Sequence, residues 1–145
     1  MDNWRFIFRQ GIAPLLSHSS LVALKKGLRE DDPALLQDCV VFPRANPLAW
    51  DLPASACGFF GYCGKEGEGL VTVYEIEQFH ERLCLEVEWR LGWPGAARVF
   101  LDWCDTTTRS AMRRNLFLEI KREQSQRWQR SSQAWRENQP TGSPS

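Results

Sequence analysis

The chain has 145 residues, of which 43% are apolar and 25% charged, with a formal net charge of zero; this composition fits one folded domain and excludes a disordered or collagen-like chain. No apolar run approaches the roughly 18 residues needed to cross a bilayer, so no membrane span is expected. The zero charge is a cancellation: residues 1–108 carry 10 Lys/Arg against 15 Asp/Glu, and residues 109–145 carry 8 against 3. An acidic body joined to a basic segment points to a contact surface.

In chain order, the start at Met1-Asp2-Asn3-Trp4-Arg5 lacks the pattern of a signal peptide, having an acid near the terminus and Arg9 interrupting the first apolar stretch. A helix is expected from Asn3 to Gln10, stopping at Gly11, and another from Ser20 to Glu30, with Ser19 or Ser20 as its N-cap. Asp32 and Pro33 read as the cap and first residue of a further helix reaching about Cys39, before Val40-Val41-Phe42, which can be extended. Pro43, Pro47 and Pro53 mark a loop, and Asp51 is a candidate cap for a short helix through Ala54, Cys57, Phe60 and Gly61. Gly58 and Gly61 suit close helix packing, and the glycines over 64–69 suit a turn.

The clearest local signal lies at 72–94. Thr72 and Glu75 form a capping box, Gly92 supplies a left-handed stop and Pro94 forbids continuation. Val73, Ile76, His80, Leu83, Val87 and Leu91 share one face, while Tyr74, Leu85 and Trp89 form a second apolar face. Two apolar faces predict a central helix packed on both sides. Pro94 can then open a helix through Val99, Phe100 and Trp103, and a last helix begins near Asp105-Thr106-Thr107-Thr108 with Met112, Leu116 and Ile120 inward. The expected fold is all-α: a single compact bundle of about six or seven helices, one central helix near 73–91, and a basic C-terminal helix extension. The expected organisation is one helical domain over 1–122 and a basic, Gln/Ser/Arg-rich tail over 123–145, partly disordered with its Pro140–Ser145 end. The Leu-x-x-Leu…Asp-Asp-Pro turn at 21–33 resembles the inter-helix turn of HEAT-type helical repeats, over one unit.

Several motifs invite a chemical reading. Glu77-Gln78-Phe79-His80 has the Glu-x-x-His spacing of di-iron bundles, yet the other histidine, His18, has no Glu at that spacing. His80 and Cys84, four apart on a helix, are weak metal candidates, needing Cys39, Cys57 or Cys63 to complete a zinc site. A hydrogen-bonded core histidine is the simpler account, and the five cysteines read as reduced thiols of a cytoplasmic protein. Gly64-Lys65 resembles the tail of a phosphate-binding loop, but Phe59 stands where its first glycine belongs and Glu66 where Ser or Thr belongs. Ser17-His18 is an adjacent pair without triad geometry.

With no convergent catalytic set, the expected function is a non-enzymatic interaction module without cofactor, for a protein partner. One alternative is a nucleic-acid or acidic-surface binder using the basic segment, where Arg127, Trp128, Arg130, Trp135 and Arg136 are the candidate contacts. The other is a metal- or thiol-dependent enzyme using His80 and Cys84.

Overall fold

The computed structural model describes residues 3–139. It is an all-α fold with one two-residue hairpin. Helix α1 spans Asn3–Ile7 and tightens through a π-helical turn, Phe8–Ile12, and a 3-10 turn, Ala13–Leu15. Helix α2 is His18–Glu30; strands β1, Val41–Phe42, and β2, Ala56–Cys57, pair antiparallel. Helix α3, Phe59–Tyr62, runs into a second π-helical turn, Cys63–Gly67, and α4 (Val73–Leu91), α5 (Ala96–Thr106) and α6 (Arg109–Glu137) follow. No helix among the described residues is long and apolar enough to cross a membrane.

The core is built on aromatic rings. Phe100 of α5 meets Phe59 at 5.1 Å between centroids, and Phe8 and Phe60 at 6.0 Å. Trp4 stacks on Trp103 at 3.8 Å, fastening α1 to α5. Leu21, Leu24 and Leu28 of α2 and Leu116 and Ile120 of α6 are fully buried beside them. Each large ring removed from water contributes on the order of 150–250 Å² of burial.

The capping box at the start of α4 forms as expected: the Glu75 amide donates to Thr72 Oγ1, and the Thr72 amide donates to the Glu75 carboxylate. Gly92 closes the helix at φ 60°, a conformation open to glycine without steric cost. Val73, Ile76, Leu83 and Val87 are buried. The second apolar face is not packed: Leu85 is 68% exposed and Trp89 89%. Helix α4 therefore buries one face only, and the expectation of packing on both sides is corrected.

Other boundaries shift for local reasons. The first helix does not stop at Gly11, because that glycine is buried against Leu91 and Val87 and the chain coils on to Leu15. Ser17, rather than Ser19 or Ser20, caps α2, accepting from the Ser20 amide. Ser20 is buried and donates to the Cys63 carbonyl. Asp32 and Pro33 open no helix. The Asp32 carboxylate accepts the Ala34 amide in a turn, and the Cys57 amide donates to the Ala34 carbonyl while the Leu36 amide donates to that of Cys57. The likeness to a helical repeat ends at that turn. The same pairing makes residues 56–57 a strand, so the short helix starts after Gly58, where the Cys39 carbonyl leaves no room for a side chain. Gly64 and Gly67 belong to the π-helical turn rather than a loop, packed on Phe79 and Ser20. Helix α5 starts at Ala96 behind Gly95, two residues beyond Pro94.

Helix α6 is tied down by charge. Arg109 and Arg113 donate to the Asp32, Leu28 and Arg29 carbonyls at the end of α2, and Arg109 also donates to the Asp31 carboxylate at 2.6 Å. The Leu28 and Arg29 carbonyls lie in the last turn of α2, where a helix end leaves carbonyls without intrahelical partners, and cations there also meet the negative end of the helix dipole. Glu119, 6% exposed, accepts from Arg5 at 3.0 Å and from Arg9 at 2.8 Å through both oxygens. Burial acts to raise the Glu119 carboxyl; the bonds and charge of Arg9 and Arg5 outweigh it and hold the group below its ordinary value.

Two outcomes follow. Val87→Asp buries an unpaired charge on the packed face of α4 and is expected to cost about 4 kcal/mol or more in denaturant melts. A depressed carboxyl stabilises the fold at pH above its unfolded value and stops doing so as pH falls through the folded one. The stability gap between the parent and Glu119→Gln should therefore be full at neutral pH and close below the ordinary carboxyl value of 4.5.

Candidate functional site

Two recesses that share α4 as a wall hold His80, Cys84 and part of the basic set singled out from the sequence. The first, of about 440 Å³, lies between the 38–40 segment, α4 and α5, and is lined by Asp38, Cys39, His80, Cys84, Glu88 and Asp105 among others. His80 reaches it from the capped helix, its ring 5.6 Å from that of Phe60. Its Nε2 is 3.6 Å from Cys84 Sγ, and its Nδ1 is shielded from solvent with no hydrogen-bond partner among the described residues. The histidine is thus hydrogen-bonded, to Cys84, but half-buried at a recess wall rather than enclosed in the core.

Burial lowers the His80 imidazole, against the charge of Glu81. Burial also pushes the Cys84 thiol up to about 11, with Glu88 adding and Arg98 opposing. The pair is consequently a neutral thiol beside a neutral imidazole at pH 7, whereas a nucleophile or metal ligand requires the thiolate. Cys57 and Cys63 are buried in the core and do not line this recess, so they cannot complete a site with His80 and Cys84. Among the described residues no group of three or more His, Cys, Asp or Glu is arranged to hold a metal ion.

The second recess, of about 590 Å³, forms where α6 crosses the α1 turns and the end of α4. Five arginines line it: Arg9, Arg90, Arg122, Arg127 and Arg130, with Glu123 between them. Four of them are positioned by partners in the local fold. Arg9 is held by Glu119. Arg90, in the last turn of α4, donates to the Gln10 carbonyl at 3.0 Å. Arg127 donates to the Ala13 and Leu16 carbonyls at 2.6 and 2.7 Å. Glu123, buried, lies 3.8 Å from Arg127 and 3.6 Å from Arg130. Carbonyl partners orient a guanidinium without cancelling its charge. Five cations against the carboxylates of Glu123 and Glu119 leave the recess strongly positive.

Of the basic-segment candidates, the structure brings Arg127 and Arg130 into this recess. Trp128 and Trp135 are 69% and 65% exposed, and Arg136 is exposed; none of the three lines the recess. Helix α6 passes through the expected boundary at 122/123 without a break, and Arg127 fastens residues beyond it to the body. The expectation for 140–145 lies outside the described residues. The candidate contacts read from the sequence do not include Arg9, Arg90 or Arg122. Arg9 was visible as a charge breaking an apolar stretch, and Arg90 as a cation in a helix's last turn, but only the tertiary fold brings them together.

Compared with known proteins, the chain matches no family, no curated protein and no solved structure.

Alkylation tests the thiol. Cys84 should react slowly with iodoacetamide at pH 7 and accelerate as pH approaches 11; the difference in rate between the parent and Cys84→Ser, read by mass spectrometry, isolates it.

Proposed function

We propose that this chain is a non-enzymatic interaction module that captures an acidic segment of a partner protein in the arginine-lined recess. The observation that carries the reading is the convergence of guanidinium groups from the π-helical turn after α1, from α4 and from α6, two of them, Arg90 and Arg127, oriented by backbone carbonyls that leave their charge available. Guanidinium pairs bind carboxylates through short, directional, charge-assisted hydrogen bonds. The neutral His80–Cys84 pair in the other recess adds no activated nucleophile. The acidic composition of residues 1–108 favours a peptide ligand over a long polyanion, because a nucleic-acid backbone extending past the recess would meet that acidic surface.

Arg122 and Arg130 are exposed at the recess rim, so their neutralisation should leave folding intact. A fluorescent octaglutamate peptide is expected to bind the parent protein at low salt, with affinity falling as salt screens the charges. Arg122→Gln with Arg130→Gln should weaken binding about tenfold or more, corresponding to about 1.4 kcal/mol per factor of ten, at an unchanged melting temperature. Equal binding by parent and variant, or none by either, overturns the reading.

A further inference from the structure

Beside the arginine recess lies a second feature, an open apolar groove of about 530 Å³ lined by Leu15, Leu85, Glu86, Trp89 and Arg90. It is continuous with the arginine recess through Arg90, which lines both. Leu85 and Trp89 are one helical turn apart on the outer face of α4, so they present one contiguous ledge. A tryptophan left 89% exposed at a groove edge, beside a leucine left 68% exposed, is a costly arrangement for a lone molecule. Buried tryptophan and arginine are also the residue types that dominate binding energy at protein interfaces.

We infer that the groove is the anchor half of a two-part site: the acidic segment captured by the arginines carries a large apolar side chain that seats against Leu15, Leu85 and Trp89. This rests on the reading of the recess as an acidic-peptide site and adds the ligand's second chemical requirement. Charge complementarity fixes the register. With Arg90 common to both halves, a carboxylate paired to Arg90 places neighbouring side chains of the same segment over the groove on one side and over Arg122, Arg127 and Arg130 on the other. Such a ligand is an acidic peptide interrupted by Leu, Phe or Trp. The concavity of the recess disfavours an anionic membrane surface, because a flat bilayer does not follow a recess, and Glu86 in the groove calls for an uncharged, apolar side chain at that end of the segment.

The test compares two peptides of equal charge on the full chain: octaglutamate, and the same acidic run interrupted by a Leu-Trp pair. The apolar-containing peptide should bind about tenfold tighter to the parent, and Trp89→Ala should abolish that gain while leaving octaglutamate binding and the melting temperature unchanged. Leu85→Ser, on the same ledge, should reduce the gain in the same direction. Arg122→Gln with Arg130→Gln should weaken both peptides. A gain that is absent, or that survives both Trp89→Ala and Leu85→Ser, overturns the anchor while leaving the arginine reading intact. Failure of both peptides to bind overturns the arginine reading itself. Tighter, Trp89-dependent binding of oligothymidylate or of phosphatidylserine vesicles than of the Leu-Trp peptide overturns the assignment to an acidic peptide.

Discussion

A buried carboxylate holds the ends of this chain together. Glu119 stands in the middle of α6 and takes three hydrogen bonds from Arg5 and Arg9, more than a hundred residues away in sequence. A carboxylate buried without such partners is strongly destabilising, whereas one held by two guanidinium groups fixes a unique register. That register places α6 against α1, and with it come the other arginine contacts: Arg109 and Arg113 on the open end of α2, and Arg127 on the carbonyls of the 3-10 turn. The arginine recess exists only because this alignment brings α1, α4 and α6 to one place.

The basic character of the C-terminal segment therefore divides into two uses. Arg109, Arg113 and Arg127 donate to backbone carbonyls at helix and turn ends, which fastens α6 to the body. Arg122 and Arg130 stand at an exposed rim beside Arg90, where their charge meets solvent. The sequence shows both sets as one block of like charge. Distinguishing them requires knowing which carbonyls are unpaired nearby, and that is a tertiary property.

The same divide explains what was readable in advance. The capping box at Thr72 and Glu75, the stop at Gly92, and the inward stripes of α4 and α6 are local patterns with local causes, and the structure carries them, with His80 and Leu91 of the α4 stripe only half-buried. The all-α class followed from such patterns. Val41–Phe42 is extended and the prolines that follow lie in a loop, as their residues suggest, but the helices expected from Pro33 and from Asp51 do not form, because the backbone pairs across a gap of some twenty residues, Ala34 and Leu36 with Cys57. A proline after a capping aspartate looks the same whether it opens a helix or a turn. The outer face of α4 was misread for the opposite reason: Leu85 and Trp89 have the periodicity of a packed surface, and periodicity does not say whether anything lies against it. At the candidate site the sequence supplied Arg127 and Arg130 but not Arg9 and Arg90, since no spacing rule joins positions on three different elements.

The two recesses share α4 as a wall, and their charges are opposite. Asp38, Glu88, Asp102 and Asp105, against the one cation Arg98, line the recess of His80; Arg90 and the arginines of α6 line the other. A molecule of zero formal charge thus carries an acidic and a basic recess. Zero net charge removes the uniform repulsion that keeps copies of a protein apart, and the two recesses give any residual attraction a direction, from the positive recess of one copy toward the negative recess of the next. Contacts of that head-to-tail kind use two different surfaces, so they build rings where the rotation closes and open chains where it does not. Near the isoelectric point of about 6.7, where net repulsion is smallest, salt screens such an attraction and dilute buffer leaves it at full strength.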